Sequence, residues 1–180
     1  MIIPEIMRNK KAYKAVDVAR HIINYCSDNN IYIDHIRLTK FLYFCQASFL
    51  FSSFNRRPCF SEQIYAWASG PTVVEVYDEF KMFGSSWIPK IKKIIKTDPK
   101  VTYPYNFFYE EWKDPIEKDD AELIDDVVYH FKDYSYTSLI NIPFNQTPWI
   151  DAWNRAREKG KYSEPISNDE IFRYFALIKE

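Results

Sequence analysis

Apolar residues recur at helical spacing through most of the chain, and this pattern predicts a mainly α-helical protein. From residue 12 to residue 29 they fall three or four positions apart, which places them on one face of a helix. Similar one-sided stripes predict further helices at 71–83, from Glu117 onward, from Ser135 to just before Pro143, from Thr147 to Gly160, and after Ser167. Ser167 and Glu170 match a capping box, in which the two residues satisfy each other's backbone donors.

Segment 35–54 differs from the other helices because apolar side chains cover all of its sides. A helix of this type belongs in the interior of a bundle. Its uncharged run from Phe41 to Asn55 is shorter than the roughly 20 apolar residues of a membrane span. We therefore expect one compact domain, residues 1–180, with six to seven helices around this central helix.

Residues 85–116 interrupt the helical pattern. They contain four prolines and no glycine, so long helices are disfavoured there. We interpret 85–116 as an irregular insertion with a short β-hairpin, built on IKKII and a Tyr/Phe-rich partner strand. Ile64 to Trp67 is predicted to be a short extended segment before it.

The stretch AWASGPTVVEVYDEF, residues 66–80, places a Gly-Pro step before an amphipathic run. Proline suits the first position of a helix, where its missing N–H would have no partner. We therefore expect Ser69 or Gly70 to cap a helix that begins at Pro71, and Gly84 to end it.

The charge balance argues against binding to nucleic acid. The formal net charge is -1, so the chain has no overall basic field. A lysine run from Lys90 to Lys100 lies near Trp87, Tyr103 and Tyr105, whose rings could stack on bases. A nucleic-acid-binding autorepressor or RNA-binding protein is therefore kept as the alternative function.

The motifs of common enzymes are missing from the sequence. Its three glycines lie far apart, so they cannot form a phosphate-binding loop, and the three histidines have no metal-ligand spacing. We expect His21, His35 and His130 to be surface or helix-edge groups. Three cysteines without a CxxC pair favour reduced thiols in the cytoplasm, and Cys26 and Cys45 fall in apolar stripes. We predict no enzyme activity, no cofactor and no metal site.

Lys40 is the one charged residue in the middle of the apolar helix. One interpretation is that its ammonium group reaches water at the helix edge. The other is a buried ion pair with a carboxylate such as Glu75.

Four blocks of sequence carry a family resemblance. They are LTKFLYFCQASFL (38–50), AWASGPTVVEVYDEF (66–80), TPWIDAW (147–153) and ISNDEIFRYF (166–175). Their order and spacing resemble the Panacea domain, also called the SocA-like antitoxin domain, which is found in phage-associated proteins. On this resemblance, Lys40, Gly70, Pro71, Pro148 and Trp149 are expected to define the fold. Pro143 and Phe144 stand where many members have a Thr-His pair, so no role of that histidine is carried over.

The resemblance implies a bacterial or prophage antitoxin that neutralises an adjacently encoded toxin by direct binding. It also implies a possible second activity, delivery of the toxin to an AAA+ protease, because the founding member acts in this way. Aromatic residues make up 18% of the chain, and exposed Tyr and Trp often anchor protein interfaces. The candidate partner-binding residues are Trp67, Glu75, Tyr77, Asp78, Trp87, Tyr103, Tyr105 and Trp112.

Overall fold

The computed structural model describes residues 11–52, 57–102 and 107–178. The helices in these ranges are α1 (Ala15–Asp28), α2 (His35–Ser52), α3 (Val74–Phe80), α4 (Lys118–Phe131), α5 (Tyr136–Phe144), α6 (Thr147–Glu158) and α7 (Asn168–Leu177). The strands are β1 (Ile64–Trp67), β2 (Gly70–Val73), β3 (Lys93–Thr97), β4 (Phe107–Glu111) and β5 (Glu164–Ile166). The prediction of a mainly α, compact domain of six to seven helices is confirmed.

Helix α2 forms the centre of the fold. Every residue from Arg37 to Ala47 is buried. Helices α1, α3, α4, α5 and α7 and strand β2 all pack against it. A helix with apolar side chains on all sides is stable only when it is enclosed in this way, and the predicted central position of segment 35–54 is confirmed for residues 35–52.

The polar side chains of α2 fix the segments around it. The Tyr43 hydroxyl donates to Gln146 Oε1 at 2.8 Å. Gln46 Oε1 accepts from the Phe60 backbone N–H at 3.1 Å, and its Nε2 donates to Asn168 Oδ1 at 2.9 Å. An unpaired buried polar group costs about 1–3 kcal/mol. These hydrogen bonds therefore hold the segment before α6, the segment before β1, and the start of α7 in place.

The Gly-Pro step lies in a β-hairpin and not at a helix start, so the predicted boundary at residue 71 is wrong. Strands β1 and β2 pair antiparallel, with Ala66 opposite Pro71 and Trp67 opposite Gly70. Pro71 lies on the outer strand of a sheet in the order β2-β1-β5, where a missing N–H is tolerated. The helix begins only at Val74, and a 3₁₀ turn at Lys81–Phe83 leads to Gly84, which has the positive φ of 52° expected at a helix end.

The predicted hairpin in the insertion is confirmed. Strands β3 and β4 pair antiparallel, with Ile95 opposite Tyr109 at the centre of the register. They form a separate two-stranded sheet. The first strand is displaced by two residues from the IKKII run, and the second contains the Phe/Tyr sequence that was predicted to face it.

Two further features of the second half of the chain differ from the expectations. Helix α5 continues through Pro143 to Phe144 instead of ending before the proline. The proline lies in the last turn, where the loss of one backbone donor is limited to the end of the helix. Strand β5 was not predicted, and it pairs antiparallel with β1 about 100 residues earlier in the chain. The predicted caps at Ser135 and Ser167 are confirmed, the latter with the full capping box.

Lys40 follows neither of the two predicted arrangements. Its side chain is 1% exposed, so the ammonium does not reach water. Lys40 Nζ donates to the Ser69 backbone carbonyl at 2.6 Å, within the turn between β1 and β2. No ion pair of Lys40 is recorded with another described residue, and Glu75 is exposed. Burial lowers the pKa of Lys40 to about 8. The buried ammonium thus binds the turn to the central helix.

Gly70 lies directly against this ammonium. It has φ +103°, and a Cβ added there would lie 2.4 Å from Lys40 Nζ. We expect Gly70→Ala to reduce the free energy of unfolding by about 2–4 kcal/mol, because it combines backbone strain with a steric clash. Gly84→Ala is the matched control, since Gly84 also has a positive φ but has no heavy atom within 4 Å of the added Cβ. Its expected cost is about 1–2 kcal/mol. Equal losses in urea unfolding would contradict the close contact at Gly70.

The lowered pKa of Lys40 predicts a pH-dependent difference between the wild type and Lys40→Met. Between pH 8 and 10.5 the unfolded state binds more protons at this lysine than the folded state does, so the wild type gains stability as pH rises. The gain over Lys40→Met is expected to reach about 3 kcal/mol across this window. Lys118→Met, at an exposed position, is the control and should show no such gain. A constant difference between wild type and Lys40→Met would contradict a buried charge.

Candidate partner-binding surfaces

Trp67 and Tyr77, two of the predicted contact residues, belong to a cluster of rings at the start of α3. The Trp67 and Tyr77 rings meet edge-on with centroids 4.9 Å apart, and Tyr77 meets His35 at the same distance. Trp149 Nε1 donates to the Trp67 carbonyl at 3.0 Å. Because these contacts join β1, α2, α3 and α6, the rings stabilise the fold, although Trp67 and Tyr77 stay partly exposed.

The carboxylates of α3 differ in their pairing. Glu75 is exposed, and no ion pair of it is recorded within the described ranges. Asp78 lies 2.6 Å from Lys81 Nζ, and Glu79 lies 2.9 Å from Arg20 of α1. The Asp78–Lys81 pair is exposed on both sides and contributes little to stability, so Asp78 remains open to a competing partner.

The β3–β4 hairpin presents a larger apolar surface. Residues directly opposite each other in an antiparallel pair share a face, and so do residues two positions apart. Ile95, Thr97, Phe107 and Tyr109 therefore lie on one face, which we call the hairpin patch. Ile95 is 64% exposed, Tyr109 is 65% exposed and Phe107 is 53% exposed. None of these side chains is needed to fill the core.

Two of the remaining aromatic candidates, Trp87 and Trp112, lie before β3 and directly after β4 in the chain. Trp87 is 50% exposed in the segment before β3. Trp112 is half-buried, and its backbone N–H donates to the Lys92 carbonyl at 2.9 Å, so it closes the base of the hairpin. Tyr103 and Tyr105 lie outside the described residues.

Helix α1 holds both ends of the insertion, a feature that the sequence analysis missed. The Asn24 side chain accepts from the Ile91 N–H at 2.7 Å and donates to the Ile91 carbonyl at 3.0 Å. Lys90 Nζ lies 2.5 Å from Asp28 Oδ1. His21, Asn24 and Asp28 are spaced to form one stripe along α1. That spacing is visible in the sequence, but their partners lie 62 or more residues away.

His21 joins the segment that follows β4, which we call the outgoing end of the insertion, to α4. Its Nδ1 lies 2.5 Å from Asp114 Oδ2, and its Nε2 lies 3.0 Å from Asp125 Oδ1. Burial by itself lowers the pKa of His21, but the two carboxylates outweigh it and the net shift is upward from 6.5. The prediction that His21 is a simple surface or helix-edge group is therefore wrong. His130 is exposed, as predicted.

An apolar groove lies between α2, α4 and α7. It has a volume of about 380 Å³, and its lining includes Phe44, Phe51, Val127, Phe131 and Phe175. The groove adjoins the ends of two described ranges, at Ser52 and Ile178. The apolar pattern of these helices predicts packing in the core and does not predict a groove.

The cysteines are packing residues. Cys26, Cys45 and Cys59 are free and buried. Burial raises the pKa of Cys26 to about 12, and it raises the pKa values of the other two thiols as well. The predicted role of Cys26 and Cys45 as small apolar side chains is confirmed. In the described residues, no group of three or more His, Cys, Asp or Glu side chains is arranged to hold a metal ion. None of the helices in these residues combines the length and the hydropathy that a membrane span needs.

Comparison with known proteins identifies the family. The family model described as "Antitoxin SocA-like, Panacea domain" matches residues 38–150, which is more than half of the chain. This chain belongs to the SocA-like Panacea antitoxin family. The match begins at the LTK sequence of α2 and ends within α6. It therefore includes two of the four blocks that carry the resemblance in full and the first four residues, TPWI, of a third, and it leaves out the one in α7. No curated protein and no solved structure matches the chain.

Membership of the Panacea family gives the chain an antitoxin-like role and, in general terms, a toxin partner. The family description refers to an antitoxin and names no enzymatic reaction. The matched residues include Trp67 and Tyr77 of the ring cluster and the whole β3–β4 hairpin, so the predicted contact residues of both candidate surfaces that the structure describes lie within the match.

Proposed function

We propose that this Panacea protein neutralises a cognate toxin by binding it directly, with the hairpin patch as the central contact surface. The observation that carries the proposal is the exposure of Ile95, Phe107 and Tyr109 on one face of the hairpin. Large apolar side chains grouped on a surface commonly mark a binding site. Aromatic side chains at the centre of an interface supply much of its binding energy.

The attachment of the hairpin to α1 favours recognition of a partner protein. Rigid scaffolds often carry their binding residues on connecting segments. Here Asn24 and Asp28 of α1 hold the incoming end of the insertion, and His21 holds the outgoing end. A surface that is held in place before binding loses less conformational entropy when the partner arrives.

A stable complex buries about 1,600 Å² in total, which is more than four side chains provide. We infer that Trp87, Trp112, Tyr103 and Tyr105 add contacts around the hairpin. The ring cluster of Trp67 and Tyr77, with Glu75 and Asp78, forms the other predicted contact region. Its exposed carboxylates would speed the approach of a basic toxin more than they would tighten the complex.

The charges around the hairpin favour a protein partner over nucleic acid. Lys96 of β3 lies 2.5 Å from Glu110 of β4, so its charge is compensated. Glu111, the last residue of β4, adds a further negative charge that would repel a phosphate backbone. Delivery of the toxin to an AAA+ protease would be a further step after binding, and faster toxin turnover in the presence of both proteins would reveal it. The buried free thiols suit the bacterial cytoplasm as the place of action.

The proposal predicts that changes in the hairpin patch abolish neutralisation without unfolding the protein. We expect the double variant Ile95→Ser, Tyr109→Ser to bind the product of the neighbouring open reading frame at least about 100-fold more weakly, because two central apolar contacts are lost. Co-expression should then leave growth arrested. The measurements are growth rescue, the Kd of the purified complex and the urea unfolding midpoint.

Tyr162→Ser is the matched control, since Tyr162 is 93% exposed in the segment between α6 and β5. It should rescue growth like the wild type. Full rescue by the hairpin variant would show that the toxin binds elsewhere. Growth arrest that persists with abundant wild-type protein would contradict direct neutralisation altogether.

A further inference from the structure

We propose that a protonated His21 latches the outgoing end of the β3–β4 hairpin to the helical body, so that the hairpin patch is held in its binding position only while His21 is charged and Asp125 is ionised. The proposal concerns the regulation of the surface described above. Its relevance to toxin binding rests on the proposed function, but the latch itself can be tested on the free protein.

A charged ring satisfies both contacts of His21 at once. His21 Nδ1 faces Asp114 Oδ2 and His21 Nε2 faces Asp125 Oδ1, at 2.5 and 3.0 Å. A neutral imidazole has one N–H and one lone pair, so it can donate to only one carboxylate. The imidazolium donates to both, and each hydrogen bond is then charge-assisted. On loss of the proton, one carboxylate would face a lone pair.

The contacts place this proton between the hairpin and the body of the protein. Asp114 lies three residues beyond the end of β4, and its other oxygen accepts from the Ile116 N–H at 3.0 Å. Asp125 lies in the middle of α4. His21 therefore connects α1, α4 and the outgoing end of the hairpin through one ring.

The incoming end of the hairpin is held without a histidine. It is attached by the amide of Asn24, which does not titrate, and by the Lys90–Asp28 ion pair. Because a two-stranded hairpin is only marginally stable by itself, its position depends on both attachments. Deprotonation of His21 weakens only one of them, so the outgoing end should open first.

The direction in which pH changes the stability of the latch follows from the titration of His21 and of Asp125. The pKa of His21 is raised in the folded state, so its contribution is complete below about pH 6.5 and is lost as pH rises through the folded value. Burial raises the pKa of Asp125 above 3.8, so the latch also fails in acid when that carboxylate is protonated. The latch is therefore closed in the pH window between these two titrations.

The other ionisable groups on the elements that meet at His21 are Asp17, Arg20 and Tyr25 of α1, Lys113 and Glu117 beside Asp114, and Glu122, Asp126 and Tyr129 of α4.

The first test follows the histidines of the full chain by NMR and the hairpin amides by hydrogen exchange at about pH 6 and about pH 9, on either side of the ordinary histidine pKa. After correction for intrinsic rates, protection of 92–97 and 107–112 should fall roughly tenfold at the higher pH, as expected when a hydrogen bond to a charged group is lost. His21→Gln should show the lower protection at both pH values. His130→Gln is the control and should behave like the wild type.

Asp114→Asn provides a second variant in case His21→Gln does not fold. It should lower the pKa of His21 and weaken the pH dependence of hairpin exchange. A His21 pKa at or below 6.5 in the wild type, or the same pH dependence in His21→Gln, would overturn the latch. The Kd of the toxin complex at the two pH values is measured separately. If the toxin does not bind at either pH, the proposed function fails, while the exchange data still decide the latch.

Discussion

The complete enclosure of α2 is the constraint on which the rest of the structure depends. Its apolar residues cover all sides, so five helices and one strand must surround it. The few polar side chains of α2 then determine how those neighbours are arranged, because each must find a partner in the interior. Tyr43 reaches Gln146 before α6, Gln46 reaches Phe60 and Asn168, and Lys40 reaches the Ser69 carbonyl. The non-helical segments that touch α2 are thus positioned by hydrogen bonds from the helix itself.

The insertion is not positioned by enclosure of α2, since it is attached to the outside of this core. Strands β3 and β4 pair only with each other in the described residues, and their side chains are mostly exposed. Their attachment depends on the polar stripe of α1 formed by His21, Asn24 and Asp28. A core that tolerates little change therefore carries a hairpin whose outer face can vary without unfolding the domain. This division of roles suits a binding protein, because affinity can change while the scaffold remains the same.

The sequence predicts features that depend on residues close together in the chain. It does not predict features that depend on contacts between residues far apart in the chain. The helices, the capping box at Ser167 and the hairpin in the insertion follow from local periodicity and turn chemistry. The Gly-Pro step at Gly70 and Pro71 is compatible with both a helix start and a strand, and pairing with β1 selects the strand. The environments of His21 and Lys40 differ from the predicted ones because their partners also lie far away in the chain. The carboxylates that hold His21 lie 93 and 104 residues away, and the partner of Lys40 is a backbone carbonyl that no residue type could reveal.

The distinction between packing and exposed aromatics decides which candidates can be tested for binding. The Trp67 and Tyr77 rings contact each other, and the Tyr77 ring also contacts His35 of α2, so truncation of either ring would disturb the fold as well as any interface. Loss of function in such a variant would carry little information about the toxin. Ile95 and Tyr109 are about two-thirds exposed, and the energy lost on truncating them in the free protein is small. The high aromatic content therefore has two physical origins, since some rings pack within the fold and others are exposed. Substitution of the exposed rings of the hairpin can change binding with little effect on folding.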